Sequence, residues 1–136
     1  MSFEVREHTA DVAVEATGGT LGETFAAVAD GLAAVQCDEM PGTGDRFDVT
    51  VAAEGQEALL FDYLDQLIYE RDVRSVLPVD NEATVNRPGE RWELSGSARG
   101  IPLSAVAARE VKAVTYSEMD LSERDSGWHA YVVFDV

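Results

Sequence analysis

Leu59, Leu60, Tyr63, Leu64, Leu67 and Ile68 recur three and four residues apart, with Asp62 and Asp65 on the opposite side. That spacing is the broad apolar stripe of an amphipathic helix, predicted from about Gln56 to Arg71. A second stripe, Leu21, Phe25, Val28, Leu32 and Val35, predicts another helix that ends near Cys37, before Met40-Pro41-Gly42. Its start carries a chemical mark. Thr20 stands where an N-cap belongs, and Glu23 three places on completes a capping-box pattern. Each helix has an apolar face to hide, so the rest of the chain must supply a surface that covers it.

That surface reads as strand. Phe3 to Glu7 and Val12 to Ala16 are short extended pieces around the turn Thr9-Ala10-Asp11, and Gly18-Gly19 breaks the second. Phe47, Val49, Val51 and Ala53 alternate with Asp48, Thr50 and Ala52, as in a half-buried strand. Val76 to Val79, Ala83 to Arg87 and Trp92 to Arg99 are predicted strands, with Arg87-Pro88-Gly89-Glu90 as a turn and Gly100-Ile101-Pro102 as a loop. Val111 to Tyr116 and Trp128 to Phe134 complete the set. The last is apolar on both faces near its end, which predicts an interior place in a sheet. The sum is a single α+β domain over residues 1–136, two helices packed on a mixed, mostly antiparallel β-sheet. Trp128 and Tyr131 are predicted core residues, and Cys37 a small buried hydrophobe.

Charge narrows the function. The chain has 26 acidic and 10 basic residues, a net charge of −16, and Lys112 is its single lysine. Phosphate contacts need a basic footprint, so strong direct binding of nucleic acid is not expected. Acids spread along the chain, with lysine almost absent, predict a halophilic protein kept soluble in salty cytoplasm. The other reading is an acidic surface for a basic partner. No apolar run nears the roughly eighteen residues of a membrane span, and no basic, apolar leader opens the chain. One cysteine leaves no internal disulfide and no multi-cysteine zinc site. The expected location is cytoplasmic.

The sequence holds no P-loop, no dinucleotide fingerprint after a strand and no nucleophile elbow, and His8 and His129 lie far apart. A self-contained enzyme is not indicated. What remains is carboxylate: Asp11 at the end of the opening turn, Asp135 next to last, and the α-carboxylate of Val136. If the opening and closing strands are neighbours, these oxygens converge, and clustered carboxylates repel unless a cation or proton relieves them. Hard oxygen ligands favour calcium, magnesium or manganese over zinc. An Asp in a turn is also an ordinary turn former, and one near a terminus an ordinary solvated charge, so the residues alone leave both readings open. Lys112 has two readings as well: a compact point charge that arginine does not replace, or an exposed strand residue balancing Glu110. His8 is either a structural histidine or a partner that orients Asp11.

Three segments carry a family resemblance that covers nearly the whole chain. Glu7-His8-Thr9-Ala10-Asp11 with its Gly-rich turn and helix, Glu110-Val111-Lys112-Ala113-Val114-Thr115-Tyr116, and the ending Phe134-Asp135-Val136 resemble the archease family, small acidic proteins that assist tRNA-splicing RNA ligase. The resemblance implies a non-catalytic cofactor that promotes guanylylation of the ligase, GTP-dependent, and its multiple turnover. It implies a divalent metal held by Asp11, Asp135 and the Val136 carboxylate, and it draws in Glu110 and Lys112 as members of the second motif. Members often carry a Lys-His pair shortly before that motif, where this chain reads Ser104-Ala105; the departure bears on the role of that loop. Two other classes stay open: an interaction module or chaperone whose acids are merely surface, and a small metal-dependent hydrolase using Asp11, Asp135 and Lys112.

Overall fold

The structure is a computed structural model that describes the backbone of residues 2–7 and 11–136 and the side chains of 2–5 and 11–136. In chain order the elements are β1 (Ser2–Glu7), β2 (Asp11–Gly18), α1 (Leu21–Gln36), β3 (Asp45–Ala53), α2 (Gln56–Arg74), β4 (Val76–Asn86), β5 (Trp92–Pro102), a short 3-10 turn (Leu103–Ala105), β6 (Ala113–Arg124) and β7 (Gly127–Asp135). The strands divide between two antiparallel sheets, ordered β1-β2-β7-β6 and β3-β5-β4. The α+β architecture and the interior place of the last strand are as the sequence predicts.

Both sheets and both helices feed one core. Val12, Val14, Ala130, Val132 and Phe134 come from the first sheet, Val49, Leu94 and Ala98 from the second, and Phe25, Leu59, Tyr63 and Leu67 from the helices. α1 packs on β2 and β4, and α2 on β3 and β6. Two glycines let α1 settle between its supports. A side chain at Gly22 would collide with the carbonyl of Ala83 in β4, and one at Gly31 with Val14 in β2. Glycine in a helix costs about 1 kcal/mol relative to alanine, and here it permits contact at both ends. Thr20 caps the helix as expected, its Oγ1 accepting from the Glu23 N–H at 3.1 Å.

Several boundaries differ from the pattern, each for a tertiary reason. α2 continues one turn past Arg71 to Arg74, although Val73 is 61% exposed. That turn is held by polar contacts rather than by an apolar stripe: Arg74 Nε lies 3.0 Å from Glu70 Oε2, and its guanidinium stacks over Phe47. The two segments predicted around residues 80–82 are one strand with a bulge, where Asp80 takes φ 48° and Asp30 Oδ1 accepts from the Asn81 N–H and amide. Gly100-Ile101-Pro102 is the end of β5 and not a loop, since it pairs with Val76–Pro78 and buries Ile101 completely. β6 begins at Ala113 rather than Val111. It runs on through polar residues to Arg124, with an irregularity between Thr115 and Asp120. Tyr131, predicted as core, is half-buried on the opposite face of β7, whereas Trp128 does pack against the core. Cys37 is buried as expected, and its thiol donates to the Glu39 carbonyl. Among the described residues no helix is long and apolar enough to cross a membrane.

Candidate metal and motif corner

Strand register brings Asp11, the last residue of the first motif, to one corner of the first sheet with the second and third motifs. Asp11, first residue of β2, is paired with Asp135, last residue of β7, and Asp135 is paired in turn with Ala113, first residue of β6. Directly paired residues of antiparallel strands point to the same face, with Cβ atoms about 4.5–5.5 Å apart. Val12, Phe134 and Val114 point to the other face and are buried in the core. The core therefore fixes Asp11 and Asp135 side by side, because a slip of one residue would put both carboxylates into the apolar interior.

The second motif is tied to the same corner by its backbone. Lys112 N–H donates to the Asp135 carbonyl at 2.8 Å, and Val111 is fully buried beneath it. Arg71, itself buried, donates from Nη1 to the Val111 carbonyl (3.0 Å) and to Gln36 Oε1 (2.8 Å). The Gln36 carbonyl accepts the Arg109 N–H at 2.7 Å. Residues 109–112 are thus held from α1, α2 and β7 at once, with Glu110 and Lys112 left exposed. Arg71 and Gln36 were invisible as site supports in the sequence, because each sits within a helix pattern that explains it without a function.

Of the predicted site residues, Asp11 is half-buried, Asp135 exposed and Val136 37% exposed. His8 lies outside the described residues. The donor set suits a hard divalent cation. Asp11 Oδ1 is buried and has no hydrogen-bond partner among the described residues, an arrangement that is costly for a carboxylate unless a cation or donor meets it. No three His, Cys, Asp or Glu side chains gather into a metal-sized group among the described residues. Among the described residues, the carboxylate oxygens at the corner are those of Asp11 and Asp135, with the Val136 α-carboxylate one residue on.

A second carboxylate group, at the far end of the same face, escaped the sequence reading. His129 is buried between Glu15 and Asp120, with Nε2 2.8 Å from Glu15 Oε2 and Nδ1 3.0 Å from Asp120 Oδ2. Each ring nitrogen thus lies within hydrogen-bond distance of one carboxylate. Ser122 and Arg124 also reach Asp120, at 3.2 and 3.4 Å. The only signal in the sequence was a charged Glu15 inside an otherwise apolar strand.

Comparison with known proteins agrees across the chain. The Archease protein family model matches residues 3–136. Protein archease of Pyrococcus furiosus is 32% identical, covering 98% of both chains, and that of Archaeoglobus fulgidus is 34% identical over the whole of both. The solution structure of Methanobacterium thermoautotrophicum protein 1598 superposes with a TM-score of 0.86 at 28% identity, covering 99% of each chain. The crystal structure of an archease, possible chaperone, from Thermotoga maritima has the same fold, with a TM-score of 0.64 at 22% identity over 96% of this chain and 94% of that one. With Asp11, the Glu110–Lys112 segment and Asp135 meeting at one sheet corner, and with this match over nearly every residue, the chain belongs to the archease family.

Proposed function

We propose that this archease is a non-catalytic protein cofactor of tRNA-splicing RNA ligase, promoting the ligase's GTP-dependent guanylylation and its multiple turnover in the cytoplasm. The observation that carries the reading is the pairing of Asp11 with Asp135 beside the anchored Glu110–Lys112 segment. Asp11, Asp135 and the Val136 carboxylate would hold a divalent cation, calcium, magnesium or manganese. When bound, such a cation supplies concentrated positive charge that offsets the carboxylates and attracts phosphate oxygen.

The chain's own residues do the positioning. The buried pairs Val12–Phe134 and Phe134–Val114 hold the carboxylates at a fixed register, so little order is lost when a ligand arrives. Arg71 holds the motif segment, which leaves the Lys112 side chain exposed to solvent beside the corner. Among the described residues the corner offers carboxylates and one ammonium group, a set suited to binding a cation. The test is ligase guanylylation followed with radiolabelled GTP, with and without this protein, over several turnovers. A clear rise in turnover number is expected. An unchanged ligase, or phosphoester hydrolysis by the isolated protein, would sink the reading.

A further inference from the structure

α2 shows solvent a face that its own fold does not explain. Its inward stripe is buried, while Asp65, Tyr69 and Val73 follow one another at four-residue steps along the outside, flanked by Glu57, Asp62 and Asp72; Phe61, half-buried against the core, stands one step before them. Tyr69 is 56% exposed and Val73 61%. Tyr116, 54% exposed, extends the strip from β6 by stacking on Phe61 with ring centroids 4.2 Å apart and planes 9° from parallel. Tyr69, Val73 and Tyr116 are three of the seven large hydrophobic residues exposed among the described residues. An acidic surface that serves only solubility has no use for exposed aromatic rings on one helix face and the strand beside it, and exposed apolar side chains set near one another mark interaction sites.

The charge of the strip states what fits it. Glu57, Asp62 and Asp65 form no ion pair among the described residues, and Asp72 is taken by Arg71. Partial burial against Phe61, with Asp62 and Glu57 nearby, raises the Tyr116 phenol above its ordinary value. Rings set among carboxylates accept a Lys or Arg that lays its stem on the ring and its charge on the acid. RNA phosphates are repelled there. A second copy of the chain is a poor occupant too, since each copy carries −16 and Arg46, Arg71, Arg74, Arg99 and Arg124 are engaged within the fold.

We propose that the outer face of α2, together with Tyr116, is the docking surface for the ligase, taken up by a segment in which Lys or Arg alternates with apolar residues. The inference rests on the reading of the chain as a ligase activator. Docking on α2 and chemistry at the Asp11–Asp135 corner are then separable tasks on separate parts of the fold.

Binding to the immobilised ligase and stimulation of guanylylation are measured together for the parent, for Tyr69→Ala/Tyr116→Ala, for Tyr69→Lys, and for Asp11→Ala. Exposed anchors at the heart of an interface are each worth roughly tenfold or more. The double variant should therefore need at least about ten times the concentration for half-maximal stimulation, while reaching the parent's maximum at saturation. Tyr69→Lys keeps the bulk and reverses the charge preference, so it should weaken binding without altering the fold. Asp11→Ala should bind like the parent and fail to stimulate. If the parent stimulates and the Tyr69 and Tyr116 variants bind as tightly as it does, the docking surface is overturned and the activator reading stands. If the parent neither binds nor stimulates, the activator reading fails and this inference falls with it.

Discussion

The outer face of the β2-β7-β6 sheet carries carboxylates at both ends, and the two ends are built in opposite ways. At one end Glu15 and Asp120 close on His129, with Ser122 and Arg124 adding donors to Asp120. At the other, four residues or about 13 Å along the strand, Asp11 and Asp135 are paired and Asp11 Oδ1 meets no donor among the described residues. Both are carboxylate groups on the same face of one sheet. The difference is whether the described side chains of the fold supply hydrogen-bond partners. An acidic group that is internally satisfied is structure, and one whose described surroundings offer no donor is a candidate for a ligand.

The largest expected effect breaks the unsatisfied end. Asp11→Ala and Asp135→Ala should each reduce calcium or manganese affinity by more than the roughly 10–100-fold that loss of a supporting partner brings, read by calorimetric titration. In metal-free buffer neither should lower the melting temperature, since each relieves repulsion between neighbouring carboxylates. Normal affinity in either variant would make this end as inert as the other. An extension appended after Val136 turns the terminal carboxylate into an amide, and should lower affinity on the order of tenfold, because oxygen sites are tuned by ligand charge. Equal affinity with the extension would leave Asp11 and Asp135 as the whole site.

The satisfied end should respond in the opposite sense. His129→Ala takes one partner from each of two half-buried carboxylates, Glu15 and Asp120, and should cost about 1 kcal/mol of stability, a few degrees in melting temperature, with divalent affinity unchanged. A loss of metal binding there would join the two ends into one site. The smallest effect belongs to Asp30, which is intermediate in character. Two donors from Asn81 reach it, yet burial still raises its pKa above the usual 3.8. The unfolded chain gives up that proton first as pH rises, so Asp30 contributes stability that is intact below about 3.8 and lost as pH climbs through the raised value. Asp30→Asn keeps an acceptor for Asn81 without the charge. It should therefore be more stable than the parent at pH 7, by less than about 1 kcal/mol because solvent screens a part-exposed group. Denaturant curves at pH 3 and pH 7 should show that gap closing on the acid side.

What the sequence determined by itself was whatever local periodicity and short-range chemistry encode. The stripes of α1 and α2, the Thr20 cap, the alternation in β3 and the apolar end of β7 are set by neighbours within a few residues, where spacing and side-chain direction are fixed by the backbone. The archease motifs, including Asp11, Lys112 and Asp135, were legible for the same reason. Everything that depends on residues far apart was decided by the tertiary structure. The final turn of α2 rests on Glu70, Arg74 and Phe47, the bulge at Asp80 is held by Asp30, and Gly100–Pro102 stays extended because β4 pairs with it. His129 finds Glu15 across 114 residues of chain, and Arg71 fastens Val111 across 40. No window along the sequence contains such pairs, because long-range partners are chosen by which faces the core brings together. For that reason the acids alone did not separate the satisfied cluster at His129 from the open corner at Asp11: satisfaction is a property of surroundings, and only the folded chain has them.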